Sequence, residues 1–168
     1  MSSCKLHNIK AFQKVDADRT YLVLIAIHNI PPHFAMIVNS KYYSLSSKGI
    51  KLGVNAELIV NSLKRKQVPS ILIDLKDDIS SELVHNTYLK YKQLRMGESC
   101  LTPIKSVLSS LNQEIIKSRY AFDLLNLLQS ENVIEEVFRL NYSKTNFELP
   151  EYGQKEIDLA IFNAAQLC

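Results

Sequence analysis

The most constraining feature of this sequence is a pair of apolar runs separated by two prolines. Residues 20–30, TYLVLIAIHNI, form a nearly continuous β-branched and aliphatic run, which is typical of a strand covered on both faces. Pro31 and Pro32 must end this strand, because proline donates no ladder hydrogen bond and restricts the residue before it. HFAMIV, NSK and YYSLSS come next and predict a β-hairpin over residues 33–47.

The remaining patterns predict one more strand and several helices. Asn55 is a plausible N-cap for a helix in NAELIVNSLKRKQ, and PSILIDL at 69–75 has the composition of a buried strand. From Ser80 onward the spacing of apolar residues favours helices, including one in NVIEEVFRL at 132–140. Residues 141–153 contain Pro and Gly and predict a connection. The expected fold class is α+β, a small, mostly antiparallel sheet flanked by several α-helices.

Length and composition predict one domain with a substantial core. The chain has 168 residues, of which 46% are hydrophobic and 22% are charged, as in an ordinary globular protein. We expect residues 1–168 to form a single domain. Residues 1–112 form its sheet-containing, expected catalytic core, and residues 113–168 form a helical C-terminal extension.

Charge and cysteine usage limit the classes of partner and compartment. The formal net charge is +3, and the scattered lysines form no stripe with aromatic residues, so no nucleic-acid partner is expected. The KRK cluster at 64–66 fits the end of a helix, where the helix dipole favours cations. No apolar run has the length of a signal sequence or of a membrane span. Three cysteines without metal-type spacing predict reduced thiols in a cytoplasmic protein.

The usual cofactor signatures are missing from the sequence. The four glycines stand at 49, 53, 97 and 153 and form no phosphate-binding loop. No cluster of His, Cys and Asp has the spacing of a zinc site. We therefore expect neither a cofactor nor a metal.

Cys100 is the strongest candidate nucleophile. It lies in RMGESCLTPIKSVL, where a Gly-containing loop leads into a predicted helix that Ser99 or Thr102 could cap. A thiol at a helix N-terminus is close to unpaired N–H groups and to the positive end of the dipole, which favour the thiolate and could hold an oxyanion. The alternative is a buried structural cysteine, since free cysteine is among the most buried residue types.

Among four histidines, His33 is the candidate general base. His7 and His85 lie in polar or helical surroundings, and His28 lies within the first strand run. His33 begins a strand directly after the rigid Pro-Pro step, so its backbone direction is well defined, as a general base requires. The alternative interpretation is a strand-end histidine in contact with solvent.

A third polar residue would orient the imidazole ring. The return strand of the predicted hairpin brings Ser44 or Ser46 near the level of His33. These two serines share a face with Tyr42, because strand side chains alternate with a period of two. The register of the hairpin decides among them.

These residues resemble a known family. HFAMIVNSKYYSLSSKG, followed about fifty residues later by GESCLTPIKSVLSSL, is similar to the circularly permuted papain-like thiol hydrolases. That group includes lecithin retinol acyltransferase-like proteins and permuted relatives of the NlpC-type cell-wall peptidases. The resemblance covers residues 20–112. It implies a permuted papain-like fold with Cys100 as nucleophile, His33 as base and Ser44 as third residue.

Two functional hypotheses follow. The first is a cysteine hydrolase or acyltransferase that cleaves an amide or ester bond of a small-molecule, peptide or lipid substrate. The second is a catalytically inactive relative that acts as a binding or assembly module. The family commonly has His at the third position where this chain has Ser44, and this departure leads to the second hypothesis. A homodimer is one arrangement that the second hypothesis allows.

Overall fold

The structure, a computed structural model, describes residues 3–95 and 97–166. The strands in these ranges are β1 (Cys4–Leu6), β2 (Lys10–Ala11), β3 (Thr20–Ile25), β4 (His33–Val38), β5 (Lys41–Ser46), β6 (Gly49–Asn55), β7 (Ser70–Leu75), β8 (Ile134–Leu140) and β9 (Phe147–Leu149). The helices there are α1 (Ala56–Arg65), α2 (Ser81–Tyr88), α3 (Leu101–Leu108), α4 (Ala121–Ser130) and α5 (Gln154–Gln166), with a short 3-10 helix at Gln113–Lys117.

The main sheet is mixed but mostly antiparallel. In the described residues it has seven strands in the order β2-β8-β7-β3-β4-β5-β6, and β1 and β9 form a separate two-stranded sheet. The pair β2–β8 is parallel, and the other described pairs are antiparallel. The predicted α+β class with a mostly antiparallel sheet and flanking helices is therefore confirmed, although the sheet is larger than expected.

Helices cover both faces of the sheet, which explains why its central strands are apolar on both sides. On one face, Phe34 and Met36 of β4 pack into a cluster with residues of α2, α3 and α4. On the other face, Ala35 and Ile37 pack with Val60 of α1. Every residue of β7 is buried, as the continuous apolar run in its sequence predicts.

Two local signals in the first half of the chain are confirmed, the hairpin and the cap of α1. The predicted hairpin is β4 and β5, and its turn places Asn39 and Ser40 at positive φ values of 48° and 60°. Positive φ at both central residues matches the twist of the two flanking strands. Asn55 caps α1, since its Oδ1 accepts a hydrogen bond of 2.9 Å from the Glu57 N–H.

The helix prediction for residues 132–140 is wrong, because most of that segment is strand β8. Val137 and Leu140 are buried in β8, and their three-residue spacing also fits a helix. The free edge of β7 favours a strand over a helix in this segment. Strand β8 pairs with β7 along its whole length, so that Leu140 lies opposite Ser70 and Ile134 lies opposite Leu75. The segment from residue 113 onward is therefore not purely helical, and it contributes a strand to the main sheet.

Three element boundaries also differ from the predictions. The strand run at 20–30 ends at Ile25, and the stretch 102–130 divides into α3, the 3-10 helix and α4. Strand β9 lies within the segment 141–153, which the sequence predicts as a connection, and it pairs with β1. Pairing with a distant strand supplies the backbone hydrogen bonds that a three-residue strand cannot form alone.

Candidate active site

Cys100 and His33 line the same cavity, which has a volume of about 220 Å³. Its walls come from the β3–β4 connection, the end of β5, the start of α3 and one face of α5. The residues that line it are Asn29, Pro31, Pro32, His33, Phe34, Ser46, Ser47, Leu94, Ser99, Cys100, Leu101, Tyr152, Ile157, Ala160, Ile161 and Ala164. The lining is mainly apolar, and Cys100 and His33 are both partly buried in it.

Cys100 lies at the N-terminus of α3, as the sequence predicts. The Ser99 hydroxyl accepts a hydrogen bond of 3.2 Å from the Leu101 N–H, and the Thr102 hydroxyl accepts one of 2.9 Å from the Ser99 N–H. The thiol is anchored to the sheet, since its Sγ accepts a hydrogen bond of 3.4 Å from the Phe34 N–H. This contact joins the residue after His33 directly to the candidate nucleophile.

Burial and backbone donors act in opposite directions on the Cys100 thiol. Burial is the larger effect and raises the pKa of Cys100 to about 11, although N–H groups of Phe34, Cys100 and Leu101 lower it. At neutral pH the unliganded site therefore holds a thiol rather than a thiolate. These N–H groups favour a negative charge on the sulfur.

His33 is the first residue of β4 and is partly buried. Burial, with a smaller contribution from the charge of Lys51, lowers the pKa of His33 to about 4, so its ring is neutral at pH 7. Strand alternation places His33 on the face of Ala35, whereas Phe34 packs on the face that carries α3. Within the described residues no hydrogen bond joins the His33 ring to Cys100. The cavity brings the two residues together without forming an ion pair.

The register of the hairpin separates the two candidate serines. Ala35 pairs with Ser44, so continuing the same register places Ser46 at the level of His33. Ser46 lines the cavity, and its hydroxyl donates to the Gly49 carbonyl at 3.2 Å. Ser44 is buried outside the cavity lining and forms a side-chain hydrogen bond with Tyr42. The role of Ser44 as third residue stays a prediction.

Sequence reasoning missed Tyr152 and α5 as parts of this cavity. The Tyr152 hydroxyl oxygen accepts a hydrogen bond of 3.1 Å from the Ala121 N–H at the start of α4, which leaves its own proton available for donation. From α5, four small or aliphatic side chains line the cavity: Ile157, Ala160, Ile161 and Ala164. The sequence contains a signal for this surface, because residues spaced three and four apart lie on one face of a helix.

Cys4 does not line this cavity. Cys4 is a buried free thiol whose Sγ donates to the side-chain oxygen of Gln129 at 3.4 Å. Burial raises the pKa of Cys4 to about 11. Cys168 lies outside the described residues. Cys100 is also free.

Comparisons with protein-family models, with curated proteins and with solved structures found no match to this chain. Among residues 3–95 and 97–166, no group of three or more His, Cys, Asp and Glu side chains is arranged to hold a metal ion. No helix in the described part of the chain combines the length and the apolar content needed to cross a bilayer. The cavity around Cys100 therefore carries the functional argument.

Proposed function

We propose that this protein is a thiol hydrolase or acyltransferase that forms a thioester at Cys100 with the acyl group of an ester or amide. The observation that carries the proposal is the setting of Cys100. Its Sγ lies at the start of α3 beside three backbone N–H groups, in a cavity that His33 also lines. The resemblance to permuted papain-like thiol hydrolases agrees with this arrangement of a helix-start cysteine and a strand-start histidine.

The proposed reaction begins from neutral partners. As Cys100 sulfur attacks the carbonyl carbon, His33 takes the thiol proton, and the C–S bond forms while the carbonyl oxygen becomes negative. His33 then gives the proton to the leaving alcohol or amine as its bond to carbon breaks. Water, or an acceptor alcohol or amine, attacks the thioester in the second half and regenerates the thiol.

Two groups are placed to stabilise the negative oxygen. At the start of α3 the Cys100 N–H is a donor held in place by the backbone, whereas the Leu101 N–H already donates to the Ser99 hydroxyl. A fixed donor costs no reorganisation during the reaction. Tyr152 lines the same cavity with a hydroxyl proton that is not used by Ala121. Tyr152 is therefore the side-chain donor that we expect to contact the substrate.

The test uses p-nitrophenyl esters of short acids, followed by mass spectrometry of the Cys100 peptide. We expect turnover and an acyl adduct on Cys100 in the wild type, and neither in Cys100→Ala. Cys4→Ala is the matched control, because it removes a buried thiol outside the cavity. Turnover that survives in Cys100→Ala, or a wild-type protein without any Cys100 adduct, would exclude the proposal.

The second candidate function is a binding module, and the neutral state of the pair favours it. A desolvated thiol and a desolvated imidazole are what an apolar binding cavity produces when no chemistry is required. In that case an apolar fluorescent probe should bind saturably to the cavity, without an adduct at Cys100. A bulky replacement that fills the cavity, Ala160→Phe, should abolish such binding.

A further inference from the structure

A second cavity lies on the other side of the β3–β4 connection. Its volume is about 590 Å³. Ile27 and His28 of the connection line this cavity, whereas Asn29 and Pro31 line the cavity of Cys100. The remaining walls come from β1, Pro69 and the segment from Tyr142 to Glu148. We call it the basic cavity, after its side chains Lys5, His7, His28 and Lys144.

The basic cavity concentrates donors that have no acceptor. In the described residues, none of the side chains of Lys5, His7, His28 and Lys144 takes part in an ion pair or a hydrogen bond. Glu148 is the one carboxylate among the described lining residues, and its Oε1 already accepts a hydrogen bond from Ser3. The two lysines are cations and the two histidines can donate hydrogen bonds through their ring N–H groups, so these side chains together would attract an anion.

The walls of the basic cavity are held by hydrogen bonds that do not use the four basic side chains. Arg139 donates to the Lys144 carbonyl at 3.2 Å, and the Tyr142 hydroxyl donates to the Asn146 carbonyl at 3.0 Å. On the opposite side, the Ile27 N–H donates to the Pro69 carbonyl at 3.1 Å. The lysine side chains therefore extend from an ordered backbone. Ligand binding does not have to order this backbone, so it costs less conformational entropy.

An aromatic surface accompanies the charge. The rings of Tyr142 and Phe147 pack edge to face, with centroids 6.2 Å apart, and both line the basic cavity. The volume of about 590 Å³ is more space than a single phosphate group fills. A flat ring attached to the anion would therefore have both room and an apolar partner.

We propose that the basic cavity binds an organic phosphate, with the phosphate between Lys5 and Lys144 and an attached ring against Tyr142. The convergence of unpaired basic side chains on an ordered, partly aromatic cavity carries this inference. It goes beyond the proposed thiol chemistry and does not depend on it. A Cys100→Ala variant should therefore bind the phosphate ligand as the wild type does.

Titration calorimetry at low ionic strength tests the proposal with two probes, AMP and inorganic pyrophosphate. We expect saturable binding of AMP that weakens about tenfold in Lys144→Gln, because the variant loses a charge-assisted hydrogen bond to the phosphate. Lys66→Gln is the matched control, because Lys66 is exposed at the end of α1 and does not line the cavity. The control should bind like the wild type.

Each outcome decides a part of the proposal. Binding of both AMP and pyrophosphate supports a phosphate site in which charge alone is enough for binding. Binding of AMP without binding of pyrophosphate supports a contribution of the adenine ring to the affinity. If neither probe binds saturably, the proposal is overturned. It is also overturned if Lys144→Gln binds like the wild type, or if Lys66→Gln weakens binding equally, since the attraction would then be that of the overall charge.

Discussion

The ionisation state of the Cys100 thiol leads to a quantitative prediction about its reactivity. With a pKa of about 11, the thiolate makes up about one part in ten thousand at pH 7. A free cysteine with a pKa of ~8.5 has about 3% thiolate at that pH, roughly 300-fold more. The more basic thiolate is about tenfold more nucleophilic for a Brønsted coefficient of ~0.45, so the net loss in alkylation rate is about 20-fold to 30-fold.

The assay is the rate of iodoacetamide alkylation at Cys100, followed by mass spectrometry of the Cys100 peptide between pH 6 and 11. The peptide readout separates Cys100 from Cys4, whose pKa is also raised to about 11. We expect the logarithm of the rate to rise by about one unit per pH unit from pH 7 to pH 10 and to begin to bend near pH 11, where half of the thiol is ionised. Glutathione measured in parallel supplies the free-thiol reference.

His33→Ala distinguishes a neutral pair from an ion pair. The pKa of His33 is lowered to about 4, so its ring carries no charge above pH 6 that could stabilise the thiolate. Removing the ring admits water and should leave the alkylation rate unchanged or increase it. His7→Ala, which lies outside the Cys100 cavity, is the control. A rate plateau near pH 7 in the wild type that disappears in His33→Ala would refute the neutral pair.

Three further predictions concern stability and turnover. Arg19→Ala leaves the buried carboxyl of Asp74 without its cation. We expect the free energy of unfolding in urea at pH 7 to fall by about 2 kcal/mol. This is less than for a fully buried ion pair, because Arg19 is partly exposed. Burial raises the pKa of Asp74, so the loss should shrink as the pH falls and the carboxyl takes up a proton. An equal loss at pH 7 and at the lowest pH at which the protein stays folded would contradict this. Asn55→Ala should lower the unfolding free energy by about 1 kcal/mol through loss of the α1 cap, and an unchanged urea midpoint would show that water replaces the cap. Tyr152→Phe should lower kcat for ester turnover about tenfold or more with little change in KM, and a change in KM alone would mean that Tyr152 shapes the cavity without contacting the oxyanion.

The parts of the fold that depend on neighbours in sequence could be predicted. Pro31 and Pro32 separate two strands through their own covalent structure, and the two-residue alternation of 33–47 specifies a hairpin. Asn55 caps α1 through its side chain. The structure confirms the hairpin and this cap, whereas β3 ends at Ile25, before the prolines. The placement of Cys100 at a helix start belongs to the same group, because loop and helix signals lie on either side of it.

Strand β8 shows where local patterns fail. IEEVFRL contains apolar residues that satisfy both a helical and an extended spacing, so its own sequence does not decide between them. The decision comes from β7, whose unpaired backbone groups on one side require a partner strand. The same reason explains why the short strand β9 forms, since it exists through its pairing with β1.

For the candidate site, the sequence by itself determined which side chains could react, and the tertiary structure decided their surroundings. Cys100 and His33 are identifiable from their local context, but Tyr152 and the apolar face of α5 close the cavity from more than fifty residues away in the chain. That enclosure removes water from both groups, raising the pKa of the thiol and lowering that of the imidazole. Desolvation depends on everything packed around a group, so only the folded chain determines it.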